Sequence, residues 1–136
     1  MPTEQVKTEE KKEEKKSGLK DLLSAYAGAP TQEQVDQWKT KFGDVFVSGF
    51  SEEELFIFRS IKRQEWIALQ TEAAKQQQIT EFEFEEMVCD TCVLWRSNTI
   101  SWQNSKAGTV SALHEQILQR SNFVTAQAAS MLVAKL

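Results

Sequence analysis

The chain has 136 residues, 40% hydrophobic and 26% charged, with 16 Lys+Arg against 20 Asp+Glu and a formal net charge of -4. That size suits one domain with a modest core. The acidic balance argues against a nucleic-acid partner and against adhesion to an anionic membrane, since both need clustered positive charge.

The longest apolar stretches fall far short of the roughly 20 residues that span a bilayer. Two cysteines do not indicate a disulfide scaffold. The N-terminus has no apolar core of a secretory signal, so a cytoplasmic protein, or one made in a cytoplasm and later assembled, is expected. Residues 1–17 hold five Glu and five Lys and almost no apolar side chain. Such a segment buries too little surface to offset its ordering entropy and is expected to be a disordered tail.

The folded part, residues 18–136, reads as a mostly helical α+β domain with one β-hairpin. Leu19, Leu22, Leu23 and Tyr26 recur at i, i+3, i+4, i+7, one stripe of a short helix that Gly28-Ala29-Pro30 ends. Thr31 starts a second helix, with Gln34 at the reciprocal capping position and Val35, Trp38 and Phe42 on its apolar face. Gly43 fits the terminating position.

Val45-Phe46-Val47 and Leu55-Phe56-Ile57-Phe58 are β-branched and aromatic runs on either side of a largely polar connection, which predicts a hairpin. A third helix is expected over Lys62 to Gln78, with Trp66, Leu69 and Ala73 at helical spacing. Thr80 and Glu83 form a second capping box. The helix after it is expected to carry Phe84, Met87, Val88, Cys92 and Trp95 along one side. Arg96 to Lys106 reads as a polar loop docked by Ile100 and Trp102. Thr109 opens a helix with Val110, Leu113, Ile117 and Leu118 inward. Phe123 to Leu136 is apolar, with only Lys135 charged, and either completes the core or meets a partner.

Catalytic signatures are missing. Cys89-x-x-Cys92 lies in the middle or at the end of a helical pattern, where the helix dipole disfavours a thiolate, and Asp90 adds negative charge. With no other Cys and only His114, a zinc site lacks about two ligands. No phosphate loop, GxSxG, HExxH or dinucleotide fingerprint occurs. The chain therefore reads as no enzyme, with no cofactor and no metal. Four Trp and eight Phe point instead to protein binding. The candidate partner-binding residues are Phe46, Phe56 and Phe58 on the hairpin and Val124, Met131 and Leu132 near the C-terminus.

A resemblance adds to this reading. Pro30-Thr31-Gln32-Glu33-Gln34-Val35-Asp36-Gln37-Trp38-Lys39 followed by Phe42-Gly43-Asp44-Val45-Phe46 resembles the opening of small bacteriophage tail assembly chaperones. Phe58-Arg59-Ser60-Ile61-Lys62-Arg63-Gln64-Glu65-Trp66 is similar to their F-R-P-L-[TS]-R-x-E-[WY], with Ser60 for Pro and Lys62 for the Thr or Ser. Val88 to Trp95 resembles their V-x-x-x-C-V-L-[WY] helix end. Ile117-Leu118-Gln119-Arg120-Ser121-Asn122-Phe123 resembles I-L-x-x-S-G-F, with Asn122 for Gly.

The similarity covers about residues 30 to 123. It implies a tail assembly chaperone that binds the tape-measure protein and helps tail-tube subunits assemble around it. A structural subunit kept in the virion, in tail, neck or baseplate, is the alternative, with the virion tail as its location. A thiol-redox protein using Cys89 and Cys92 is a third, from another class. Homo-oligomerisation stays open.

Overall fold

The computed structural model describes residues 18–51, 53–97 and 101–136. The charged tail over 1–17 and the docking expected of Ile100 lie outside the described residues. The fold is α+β, as the sequence predicts, with helices outnumbering strands. Within it, two compact units are distinguished: the described residues up to Phe58 with 94–97, and 59–93 with 101–136.

The first unit begins with a helix over 18–25 (α1) and a second over Gln32–Phe42 (α2). The Thr31 hydroxyl accepts the Gln34 N–H at 3.2 Å, which satisfies one of the donors a helix start leaves open. Gly43 ends α2 at φ 87°, a left-handed geometry that favours glycine, and its N–H donates to Lys39 O at 2.9 Å.

Strands β1 (Val45–Ser51) and β2 (Glu54–Arg59) then form the expected hairpin. Period-two alternation puts Phe46 and Phe50 on one face with Phe56 and Phe58. The ring pairs Phe46–Phe58 at 5.5 Å and Phe50–Phe56 at 6.0 Å agree. On the other face, Gly49 leaves room for Leu19: an added Cβ would sit 2.7 Å from Leu19 Cδ2 and 2.8 Å from Leu55 Cδ2.

The sheet has a third strand that the sequence reading lacks. The helix carrying the cysteines, α4 (Glu81–Cys92), stops at Cys92, and Val93–Arg96 form β3, giving the order β1-β2-β3. Trp95 therefore belongs to a strand and does not continue the helical face of Phe84, Met87, Val88 and Cys92. Val93-Leu94-Trp95 is apolar at every position, so helix and strand periods cannot be told apart there, and pairing with β2 decides. Ser97 secures the end of this pairing: its N–H donates to Leu55 O at 2.9 Å, and its hydroxyl accepts Leu55 N–H at 2.9 Å. The Tyr26 hydroxyl donates to Ser97 O at 2.9 Å, while its ring meets Trp95 edge-on at 5.8 Å. As the central strand, β2 is buried almost throughout, from Leu55 to Phe58.

The second unit is helical. Helix α3 (Arg63–Lys75) begins after Lys62, whose N–H donates to the Glu65 carboxylate at 3.1 Å. This is half of a capping box: Lys62 stands at the N-cap without a side chain that can accept. Thr80 caps α4 by accepting Glu83 N–H at 3.1 Å. A 3-10 turn over Trp102–Asn104 precedes α5 (Thr109–Arg120), whose Leu113 and Ile117 are fully buried, as are Val88, Cys89 and Cys92 of α4.

Helix α5 ends in a Schellman turn. Phe123 N–H donates to Leu118 O at 3.0 Å and Asn122 N–H to Gln119 O at 3.4 Å, with Asn122 at φ 68°. Asn122 stands where the resembled pattern has glycine, and the backbone there is the left-handed one that glycine, and next asparagine, tolerates. Thr125 then caps a last short helix, α6 (Ala126–Met131).

Candidate functional site

The six residues predicted to meet a partner do not form one site. On the hairpin, Phe56 and Phe58 are each 3% exposed and present almost no surface to a partner. Phe46 is half-buried against Phe58. On that face the rings cover one another across the hairpin, Phe46 on Phe58 and Phe50 on Phe56. The hairpin's exposed ring is Phe50, at 39%. The apolar runs used to find the strands left it out, because Ser48-Gly49 separates it from them.

The C-terminal candidates behave differently. Val124 is 49% exposed, Met131 80%, Leu132 75% and Val133 78%. The segment therefore does not complete the core. Thr125 accepts the Ala128 N–H at 3.1 Å and starts a single short helix, after which Leu132 and Val133 extend without further helical structure. Leu132 and Val133 are thus consecutive large apolar side chains left exposed.

Both cysteines are free and buried. They lie in the last turns of α4, and Cys89 Sγ is 3.8 Å from Val110 O. Burial first, then the neighbouring Cys92 and Asp90, pushes the Cys89 thiol up to about 12. Burial likewise pushes Cys92 up to about 12, against the pull of the Arg59 guanidinium. Reactive thiols are shifted the other way and are reachable from solvent. Among the described residues, no group of three or more His, Cys, Asp and Glu could hold a metal ion. His114 is half-buried, and its Nε2 has no hydrogen-bond partner.

The feature that sequence reasoning missed is an ion pair. Arg59 Nη1 and Nη2 donate to Glu65 Oε1 and Oε2, both at 2.7 Å, and Nη2 also donates to Thr91 O at 3.0 Å. The Arg59 side chain is 9% exposed. Each partner favours the other's charged form: the Glu65 hydrogen bond holds the Arg59 guanidinium above its ordinary value, and the Arg59 hydrogen bond holds the Glu65 carboxyl below its own. The only available signal was a short Arg-to-Glu spacing across a strand-to-helix turn, which composition and periodicity do not weigh.

The same turn meets the end of α5. Ile61 N–H donates to the Ser121 hydroxyl at 2.9 Å, and the Trp66 ring lies 4.8 Å from that of Phe123 and 5.4 Å from that of Phe84. Several residues that carry the resemblance, Arg59, Ile61, Glu65, Trp66, Ser121 and Phe123, thus hold this unit together. No protein-family model matches the chain, and neither a curated protein nor a solved structure matches it. No helix among the described residues is long and apolar enough to cross a membrane.

Proposed function

We propose that this is a non-enzymatic protein-binding factor that assists phage tail assembly by holding an apolar client, the tape-measure protein, through its C-terminal segment. The observation that carries the reading is the exposure of Val124, Met131, Leu132 and Val133 on a segment that packs into no core. A client-holding factor needs apolar groups that are free before the client arrives, and amphipathic helices are recognised by such surfaces. The buried, protonated thiols supply no nucleophile, which favours binding over chemistry. The motif resemblance supplies the identity of the client.

Co-expression with the tape-measure protein encoded nearby tests this. Full-length protein keeps that client soluble and co-purifies with it. A variant ending at Phe123 folds cooperatively and loses the client. Full-length protein that neither binds nor solubilises the client, and that is stoichiometric in mature particles, is instead a virion subunit.

A further inference from the structure

The first unit contains a second apolar surface, which the sequence reading did not single out. A cleft of about 320 Å³ opens between α1, α2 and the sheet. Leu23 and Val35 form its walls, Val45 and Val47 its floor, and Lys20 and Lys39 stand on opposite helices at its edge. These four are half-buried, as is Phe46, which lines the cleft with the buried Ile57, so the apolar lining is partly open to solvent. Ser24 and Gln32, which also line it, are engaged within their own helical segments, with Lys20 O and Asp36 respectively. Among the described residues, neither lysine has an ion-pair partner.

We infer that this cleft docks an acidic amphipathic helix of the client, seating two or three of its aliphatic side chains between α1 and α2 with a carboxylate facing each of Lys20 and Lys39. This rests on the client-binding reading above. The argument is complementarity. An open apolar trough accepts the i, i+3, i+4 stripe of a helix, and cations on both banks select carboxylates at the flanks of that stripe. The chain as a whole is acidic, at -4, so two lysines without an ion-pair partner among the described residues, beside half-buried valines, are a local reversal of its charge. Charges at such a rim steer a partner and fix its register.

The probe is a fluorescent helical peptide of about 18 residues, five turns, with a leucine stripe flanked by glutamates. A second peptide carries lysine in place of each glutamate. Anisotropy titration against full-length protein is expected to show binding of the acidic peptide only, weakened by salt, with Val35, Val45 and Val47 amides shifted in NMR spectra. Lys20→Glu with Lys39→Glu, both at the surface, is expected to weaken the acidic peptide about tenfold or more, from two reversed surface pairs, and to strengthen the basic one.

Equal binding of both peptides, or no effect of the double substitution, overturns the inference. So does loss of the acidic peptide on truncation after Phe123, which assigns it to the C-terminal segment. Tight binding of dodecanoate at Val45 and Val47, without binding of either peptide, makes the cleft an amphiphile site and also overturns it. Failure here with retained capture of the tape-measure protein leaves the C-terminal reading standing.

Discussion

Arg59, the last residue of β2, and Glu65, in the first turn of α3, meet through two parallel hydrogen bonds of 2.7 Å each. The strand-to-helix turn between them is closed at three points. Arg59 Nη1 donates to Ser60 O at 3.2 Å, Lys62 N–H donates to Glu65 at 3.1 Å, and Ile61 N–H reaches Ser121. Glu65 thus serves both as counter-ion and as helix cap. A planar guanidinium matches a carboxylate on both arms, and a lysine does not.

Removing either partner should destabilise the protein. Arg59→Met leaves Glu65 without its counter-ion, and Glu65 is partly exposed, so the expected loss is about 2–3 kcal/mol, below the range for fully buried pairs. Arg59→Lys recovers only part of it. The pH dependence follows from the depressed Glu65 carboxyl. The unfolded chain binds that proton at a higher pH than the folded one, so the contribution is complete above the ordinary glutamate range. It is lost as pH falls through the folded value. Urea melts from pH 7 to pH 3 should show this acid loss in the native protein and a smaller one in Glu65→Gln.

The thiols give the opposite, alkaline signature. Both are pushed from 9.0 up to about 12 by burial. Between those values the unfolded state has lost the protons that the folded state retains, so stability falls as pH rises from 9 towards 12. The slope is at most about 1.4 kcal/mol per pH unit per thiol. Cys89→Ala with Cys92→Ala should cost about 1–2 kcal/mol at pH 7 by lost burial and should flatten this alkaline decline. A thiol-specific reagent at pH 8 should react only at the rate of opening. Rapid labelling of the folded protein would revive the redox reading.

The turn at Asn122 can be tested from both sides. Its φ of 68° suits glycine better than asparagine, so Asn122→Gly should be neutral or stabilising by up to about 1 kcal/mol. A β-branched Asn122→Val should cost about 1–3 kcal/mol, because the Schellman turn directs Phe123 onto Trp66. Thermal melts of the two variants decide it: a lower midpoint for the glycine variant would contradict the geometry.

Much of the helical architecture was legible in the sequence because its signals are local. Thr31, Gly43, Thr80 and Leu113 each act within a few residues of themselves, through capping, a left-handed turn or 3.6-residue spacing. The third strand was not legible, because Val93-Leu94-Trp95 has no period of its own and becomes a strand only by pairing with β2. Phe56 and Phe58, candidates for a partner when the hairpin is read alone, are buried, and burial is likewise set by residues distant in sequence. The C-terminal segment could be read for composition but not for placement, since an apolar run serves core and interface equally well. Lys20 and Lys39 lie 19 positions apart, and only packing brings them to one cleft.

On the proposed reading, the C-terminal segment allows stability and client capture to be tested separately. Phe123 is the last residue with a ring contact to the second unit's core, through Trp66, and its N–H closes the Schellman turn. Beyond it, α6 is too short to be stable alone, and its large apolar residues contribute almost no buried area. Met131→Glu with Leu132→Glu should therefore leave the thermal midpoint within about 2 °C, as substitutions at exposed positions usually stay within 0.5 kcal/mol. The same pair removes two of the most exposed apolar side chains and adds two charges. Capture of the tape-measure protein should fall at least tenfold, since burying even one unpaired carboxylate in an apolar contact costs more than the roughly 1.4 kcal/mol that tenfold represents. The two measurements must be read together. An unchanged melt with lost capture assigns the client to this segment. An unchanged melt with full capture removes the segment from the interface and leaves the Lys20–Lys39 cleft as the surface to test. A melt lowered by 5 °C or more, about 1 kcal/mol at this size, means that these side chains pack in solution and that their exposure does not mark a binding surface.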